Sequence, residues 1–320
     1  MYRKKILARA RGRGISPPAF VALRWPVLWK GRPAGTPEEL ARLRRGRCVG
    51  ACGRNRRKDD CGMENTSRPR GFSGNTLKLI AIAAMFIDHV AWAFVPTESP
   101  LALVMHLIGR TTAPIMCFFV AEGYYHTHDL RRYMLRLGGF ALLSYVPFLV
   151  FEAGGMPGVG NLLQLNVLFT LLLGLCALWV EDHVENGLLR GAALVGLCIL
   201  SMTADWFCFG IFFVLSFGRN RGDFKRQALW FSLSSLGAML FLSVPYWEVV
   251  QRYGVGNIRW GAFWWAYLCT VGMQAGTLLA LPLLKRYNGE RGGGPASKWL
   301  FYVFYPAHLL VLGILQAILK

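Results

Sequence analysis

The chain has 320 residues, is 54% hydrophobic with 11 Trp and 21 Phe, and has a mean hydropathy of +0.36. Its formal net charge of +19 points toward nucleic acid until its distribution is read. Residues 1–62 hold 17 Lys/Arg against 4 Asp/Glu, and the rest of the chain holds 19 against 13. The basic signal belongs to that first segment, so no nucleic acid is expected as a partner. The apolar residues gather in long blocks, such as LLQLNVLFTLLLGLCALWV at 162–180, which excludes an ordinary soluble domain and indicates a membrane protein.

In chain order, residues 1–62 show no periodicity, no apolar h-region and no cleavage signal, and read as a basic, disordered extension rather than a secretory peptide. Arg57-Lys58-Asp59 can be encoded by a purine-rich string just before Met63, as a bacterial ribosome-binding site would be, so translation is expected to begin at Met63. If the extension is made, it suits anionic lipid or RNA. Its Cys48, Cys52 and Cys61 are poorly spaced for zinc and have no His nearby. Residues 63–76 form a short polar leader, and 77–320 the transmembrane domain. There Cys117, Cys176, Cys198, Cys208 and Cys269 lie singly in apolar blocks, as small hydrophobes do. The sequence shows no metal set.

The expected fold is all-α, a polytopic transmembrane helix bundle of about nine spans, near 77–95, 104–125, 134–151, 162–180, 188–203, 205–218, 227–247, 262–283 and 298–318. Eight to ten spans fit the same pattern. The loops HTHDLRRYMLR, GRNRGDFKRQ and KRYNGERGGGPASK are basic, and PTES and EAGGMPGVGN are neutral or acidic. Alternation then places the basic loops and the N-terminus in the cytoplasm of a bacterial inner-membrane protein, with lipid as its surroundings. The acidic loop EDHVENGLLR is the one exception.

An ionisable group inside hydrocarbon is costly and marks a candidate site. Asp88-His89 lies in the first block, in its outer half. The two side chains leave a helix about 100° apart, so each needs a partner on another helix. His106 and Arg110 follow at i,i+4, and Arg110 is the natural counter-ion for Asp88. Glu122 and His126 are spaced likewise near the inner end of the second block. Tyr305 and His308 flank Pro306 in the last. Asp205, Asn166 and Gln164 complete the set, with Asn166 and Thr170 read as interhelical hydrogen-bond glue. A histidine flanked by acid and arginine suits general-base work. The same residues suit a proton relay in a transporter, and residue chemistry alone leaves both open.

LKLIAIAAMFIDHV, GRTTAPIMCFFVAEGYYHT, YMLRLGGFALLSYVPF, NVLFTLLLGL, ADWFCFGI, YNGERG and FYVFYPAHLLVL together resemble the TraX family of F-pilin acetylation proteins, over about residues 75–318. That family is associated with conjugation and fimbriae and is distantly similar to integral membrane acyltransferases. FFVAEGYY resembles the acyltransferase segment in which a serine is common where Glu122 stands. The resemblance implies transfer of acetyl from acetyl-CoA to a pilin N-terminus or another cell-envelope acceptor. His89 is then the general base, Asp88 and Arg110 fix the first two helices, and His308 lines the channel or shares proton transfer. Glu122 joins this catalytic set. Arg136, with Arg131 and Arg132, and Arg291 with Lys298 would hold the CoA phosphates. The alternative is a multi-span transporter or a non-catalytic pilus or conjugation assembly factor.

Overall fold

The computed structural model describes residues 71–294 and 297–319. The extension 1–62, the proposed start at Met63 and most of the leader lie outside these residues. Among the described residues twelve α-helices follow one another: α1 (Gly74–Phe94), α2 (Pro100–Gly109), α3 (Thr112–His126), α4 (Leu130–Leu143), α5 (Tyr145–Ala153), α6 (Val167–His183), α7 (Gly187–Leu200), α8 (Phe207–Arg219), α9 (Phe224–Tyr253), α10 (Trp260–Thr270), α11 (Ala280–Lys285) and α12 (Ser297–Ile318). The fold is all-α as expected. Among the described residues β pairing is limited to two isolated bridges, Phe72 with Tyr287 and Leu165 with Ala204.

Polar residues set the helix starts. Ser73, Ser99, Asp129, Asn166, Asn186 and Asp223 each accept from a backbone N–H of the first turn that follows, satisfying donors that hydrocarbon would leave unpaired. Pro100 at the first position of α2 gives up no hydrogen bond.

Six helical stretches among the described residues are long and apolar enough to cross a membrane: Gly74–Phe94, Pro100–His126, Leu130–Ala153, Phe224–Tyr253, Trp260–Lys285 and Trp299–Ile318. The protein is therefore a multi-pass membrane protein. Between the third and fourth of these, α6, α7 and α8 are apolar but shorter. Three of the six are interrupted, which block-reading did not foresee: at Arg110–Thr111, at Ser144, and by a 3-10 stretch over Gly272–Leu279.

Hydrogen bonds and ion pairs define two ends. At one, Arg221 Nε donates to Glu122 Oε1 at 2.9 Å, Arg219 pairs with Glu181 at 3.5 Å, and Phe72 N–H donates to Arg286 O at 2.7 Å. The basic segments after α3, α8 and α11 all gather here. So does the acidic loop after α6, whose Glu181 is matched by Arg219; this accounts for its apparent breach of the charge pattern. At the other end, Trp265 Nε1 donates to Glu98 O at 2.7 Å, Gln316 Nε2 to Ala93 O at 3.5 Å, and Asp205 N to Leu165 O at 3.0 Å.

Close approach between elements relies on missing side chains. A Cβ at Gly276 would overlap the Leu107 backbone of α2, and backbone cannot rotate away as a side chain can. Gly276→Ala should lower the melting temperature in detergent, by about 1–3 kcal/mol of overpacking. Gly261→Ala, which meets open space, should not; equal shifts for the two would refute the packing.

Candidate functional site

Asp88 and His89 diverge as adjacent helical residues must. Asp88 turns toward α2 and accepts at Oδ1 from His106 Nδ1–H at 2.8 Å; Arg110 Nη2 stands 3.8 Å from Oδ2. Arg110 is thus a counter-ion, as expected, but His106 is the closer partner. The shorter contact follows from position. His106 lies inside α2 with only 1% of its surface exposed, whereas Arg110 is the residue that ends the helix. Trp92, one turn beyond Asp88, packs on the His106 ring at 4.3 Å, and the Arg110 guanidinium lies over Trp92 and Trp206 at 5.9 and 5.5 Å. His106 Nε2 and Arg110 Nε are buried without a protein partner.

His89 turns toward α12. Its Nδ1 lies 2.8 Å from Met85 O, and a carbonyl can only accept, so Nδ1 carries the proton and Nε2 keeps a lone pair. His308 behaves alike: Nδ1–H donates to Phe304 O at 2.8 Å, leaving its Nε2 3.4 Å from His89 Nδ1. The two rings meet edge to face at 4.9 Å, with Phe151 of α5 on His89 at 5.1 Å and Phe304 stacked on His308 at 4.8 Å. The packing fixes one tautomer of His89 with its basic nitrogen unused, and His89 is only half-buried.

Two acids belong to this end of the bundle, Asp205 from the turn before α8 and Glu152 from the last turn of α5, whose Phe151 packs on His89. Asp205 stands between α7 and α8, where Leu165 N donates to Thr203 O at 2.9 Å and Asp205 N to Leu165 O at 3.0 Å. Two residues on, Phe207 has φ 47°, the left-handed backbone that a bulky residue avoids. Asp205 interacts electrostatically with Glu152, Arg110, His89 and Asp88, and both acids act on the Tyr305 hydroxyl. Asp205 is legible in the sequence as an acid between two apolar blocks. Glu152 reads there as an ordinary loop acid, with no signal to raise it.

Other candidates fall elsewhere. Glu122 sits at the basic end, held by Arg221 and by His126 at 3.5 Å, after about 15 Å of helical rise from Thr112. The fold does not bring it to His89, and its contacts are those of a clasp between α3 and the turn after α8. Arg136 lies over Tyr133 and Tyr302 at 5.4 and 5.7 Å. Arg291 accepts from Asn75 N at 2.8 Å through its carbonyl, which lays the glycine-rich turn against the start of α1. The Lys298 side chain lies outside the described residues. Cys117 is buried with its Sγ 3.8 Å from Gly210 O, a packing role. Asn166 caps α6 and bonds Ala141 O at 2.8 Å, the interhelical glue it was read as; the buried Thr170 hydroxyl has no such partner.

Sequence reasoning also passed over Lys78. Its ammonium lies over Phe119 at 4.8 Å and is repelled by Arg291. Lys78 precedes His89 by eleven residues, three turns and about 20°, so both project from one face of α1 about 16 Å apart. That spacing was the available signal.

A multi-helix membrane bundle with paired histidines and acids at one end, and cations at the other, defines a class of integral membrane protein with a polar intramembrane site. The family described as TraX protein matches residues 73–316, and the chain belongs to that family. It is 29% identical over 250 residues to the probable fimbrial assembly protein FimC, serogroup H1, of Dichelobacter nodosus, covering 77% of this chain and 96% of that one. It is 26% identical over 132 residues to the uncharacterized protein RP591 of Rickettsia prowazekii (strain Madrid E), covering 40% and 47%. No solved structure matches.

Proposed function

We propose that the protein is an integral membrane acetyltransferase that moves acetyl from acetyl-CoA to an amine, a pilin N-terminus by family, or to a hydroxyl of another cell-envelope acceptor. The observation that carries this reading is His89, a half-buried intramembrane imidazole whose Nδ1–H is engaged by Met85 O and whose Nε2 lone pair is left for a reactant. The acceptor nitrogen attacks the acetyl carbonyl carbon and its proton passes to His89 Nε2. Collapse of the tetrahedral intermediate breaks the C–S bond, and the imidazolium returns the proton to the departing sulfur. His308 Nε2, facing His89 Nδ1, supports the transient positive charge as a positioning residue.

The basic end suits the donor. Lys78, Arg291 and Arg136 present cations for phosphate. A pantetheine arm of about thirteen bonds, roughly 15 Å at the rise of an extended chain, spans the distance from Lys78 to His89. On this reading the basic end faces the cytoplasm of a bacterial inner membrane by the positive-inside rule, and α6, α7 and α8 complete nine passes. Lys78→Met should raise KM for acetyl-CoA about tenfold or more while turnover of acetyl-pantetheine, which has no phosphate, falls far less. Equal losses for both donors would remove Lys78 from donor binding.

A second reading, a non-catalytic assembly factor, draws on the name of the Dichelobacter relative. Complementation separates the two. Restoration of fimbriae by the His89→Ala variant as fully as by the wild type favours assembly without catalysis.

A further inference from the structure

At the basic end, cations stand on aromatic rings with no acid to answer them. The Arg136 guanidinium, on the second turn of α4, lies over Tyr133 at 5.4 Å and over Tyr302 of α12 at 5.7 Å. Tyr302 stacks on Phe140, one turn beyond Arg136, at 4.8 Å with an interplanar angle of 28°. Trp299 leans on both members of that pair, 6.1 Å from Phe140 and 6.4 Å from Tyr302, and is 45% exposed. These rings and the guanidinium form one continuous surface bridging α4 and α12, with Arg136 and Trp299 on its open side.

The same surface is joined to Lys78. The hydroxyl end of Tyr133 lies against Gly123 of α3, where a Cβ would come within 3.0 Å of Oη. Phe119, one turn earlier on α3, carries the Lys78 ammonium at 4.8 Å. Lys78 and Arg136 therefore border one stretch of α3, on ring partners about 6 Å of rise apart. Depth agrees: α1 meets α12 through Phe86 and Phe304 at 6.3 Å, and from there Lys78 lies about 12 Å and Trp299 about 8 Å toward the basic end. Among the described residues neither Lys78 nor Arg136 has a hydrogen bond or a carboxylate partner. Lys78 is half-buried within a span, where a cation without an anion is costly. Anchoring at the membrane surface accounts for an exposed Trp or Arg but leaves Lys78 unanswered. A ligand with phosphates and a flat aromatic ring answers both features at once. Its phosphate oxygens accept from guanidinium and ammonium N–H groups, and a purine face stacks on aromatic side chains.

We propose that this surface is the nucleotide subsite of the acyl donor: Trp299, backed by Tyr302 and Phe140, stacks the adenine ring of CoA, and Arg136 holds the phosphate on its ribose. This inference rests on the acetyl-CoA reading, whose phosphates it divides. Lys78 is left the pyrophosphate together with Arg291, whose carbonyl accepts from Asn75 N at 2.8 Å and so keeps that residue at the start of α1. The pantetheine arm then rises along α1 toward His89. Trp299 and Arg136 stand far from the reacting atoms, so they set the affinity for the donor and not the rate of the chemical step.

The test measures displacement of labelled acetyl-CoA from the full chain in phosphatidylcholine nanodiscs by adenosine 3′,5′-bisphosphate, adenosine 5′-phosphate and pantetheine 4′-phosphate. On the wild type the bisphosphate should compete about tenfold better than the monophosphate, and Arg136→Gln should erase that difference. Trp299→Leu should weaken both adenine nucleotides about tenfold, the scale of one lost base stack, and Trp299→Phe, which keeps a ring, should retain most of the affinity. Pantetheine 4′-phosphate should bind all of these variants as it binds the wild type, which also shows that they are folded. Adenine nucleotides that compete equally well on the wild type, Arg136→Gln and Trp299→Leu overturn the assignment. A wild type that binds acetyl-CoA but yields it only to pantetheine 4′-phosphate overturns the subsite and leaves the donor standing. Phosphatidylglycerol binding that is lost in Arg136→Gln, with nucleotide affinity intact, overturns it in favour of a lipid headgroup. A wild type that binds no acetyl-CoA overturns the donor reading itself, and this subsite with it.

Discussion

Replacing His89 by glutamine should lower kcat for acetyl transfer by about a hundred- to ten-thousandfold, the range that a positioned general base supplies, while the affinity for CoA stays near that of the wild type. Glutamine retains an N–H for Met85 O and loses only the basic nitrogen. The companion change His308→Leu removes the acceptor that faces His89 Nδ1 at 3.4 Å and should cost no more than about tenfold, the scale of one neutral hydrogen bond. If His308→Leu is the more damaging, the two histidines have exchanged roles. If both lose CoA binding in step with turnover, neither is a base.

The second large effect is structural. Asp88 is 9% exposed and lies between His106 and Arg110 inside the bundle, so Asp88→Ala leaves an arginine without its carboxylate in a low-dielectric setting. The expected loss is about 3–5 kcal/mol, seen as a lower melting temperature in detergent. Asp88→Leu combined with Arg110→Leu should recover much of it, because deleting both charges removes the uncompensated one; a cycle over the two sites measures the coupling. The ion pair requires a carboxylate, so its contribution is present at neutral pH and lost as acid protonates Asp88. Equal losses in the single and double variants would show that Asp88 acts through shape. Gly109 bears on this, since a Cβ there would overlap the Asp88 side chain: α1 and α2 approach closely because one of the facing residues is glycine.

What the sequence made legible, and what it did not, divides along physical lines. Apolar blocks announce helices because hydrocarbon forces every backbone group to pair within the segment, so the all-α bundle was readable from composition. Breaks at Arg110–Thr111, Ser144 and Gly272–Leu279 were not, because a few polar or small residues leave the mean hydropathy of the whole span high. The His106–Arg110 spacing placed both partners of Asp88 on one face, and a short polar run fixed their helix. Glu122 was grouped with His89 by shared rarity within the membrane, yet the fold sends it to the opposite end, where Arg221 answers it. Asp205 comes to this end from a turn and Glu152 from the last turn of α5, and only the 162–166 and 201–206 segments folding together, through the Leu165–Ala204 bridge, place the former.

The most direct measurement is acetyl transfer from radiolabelled acetyl-CoA by the purified wild-type protein, with His89→Gln alongside, following free CoA and labelled peptide amine together. The acetyltransferase reading expects equal amounts of CoA and N-acetyl product from the wild type and almost none from the variant. CoA bound but never consumed by the wild type, with fimbriae restored equally by both proteins, would contradict it and make the chain an assembly factor.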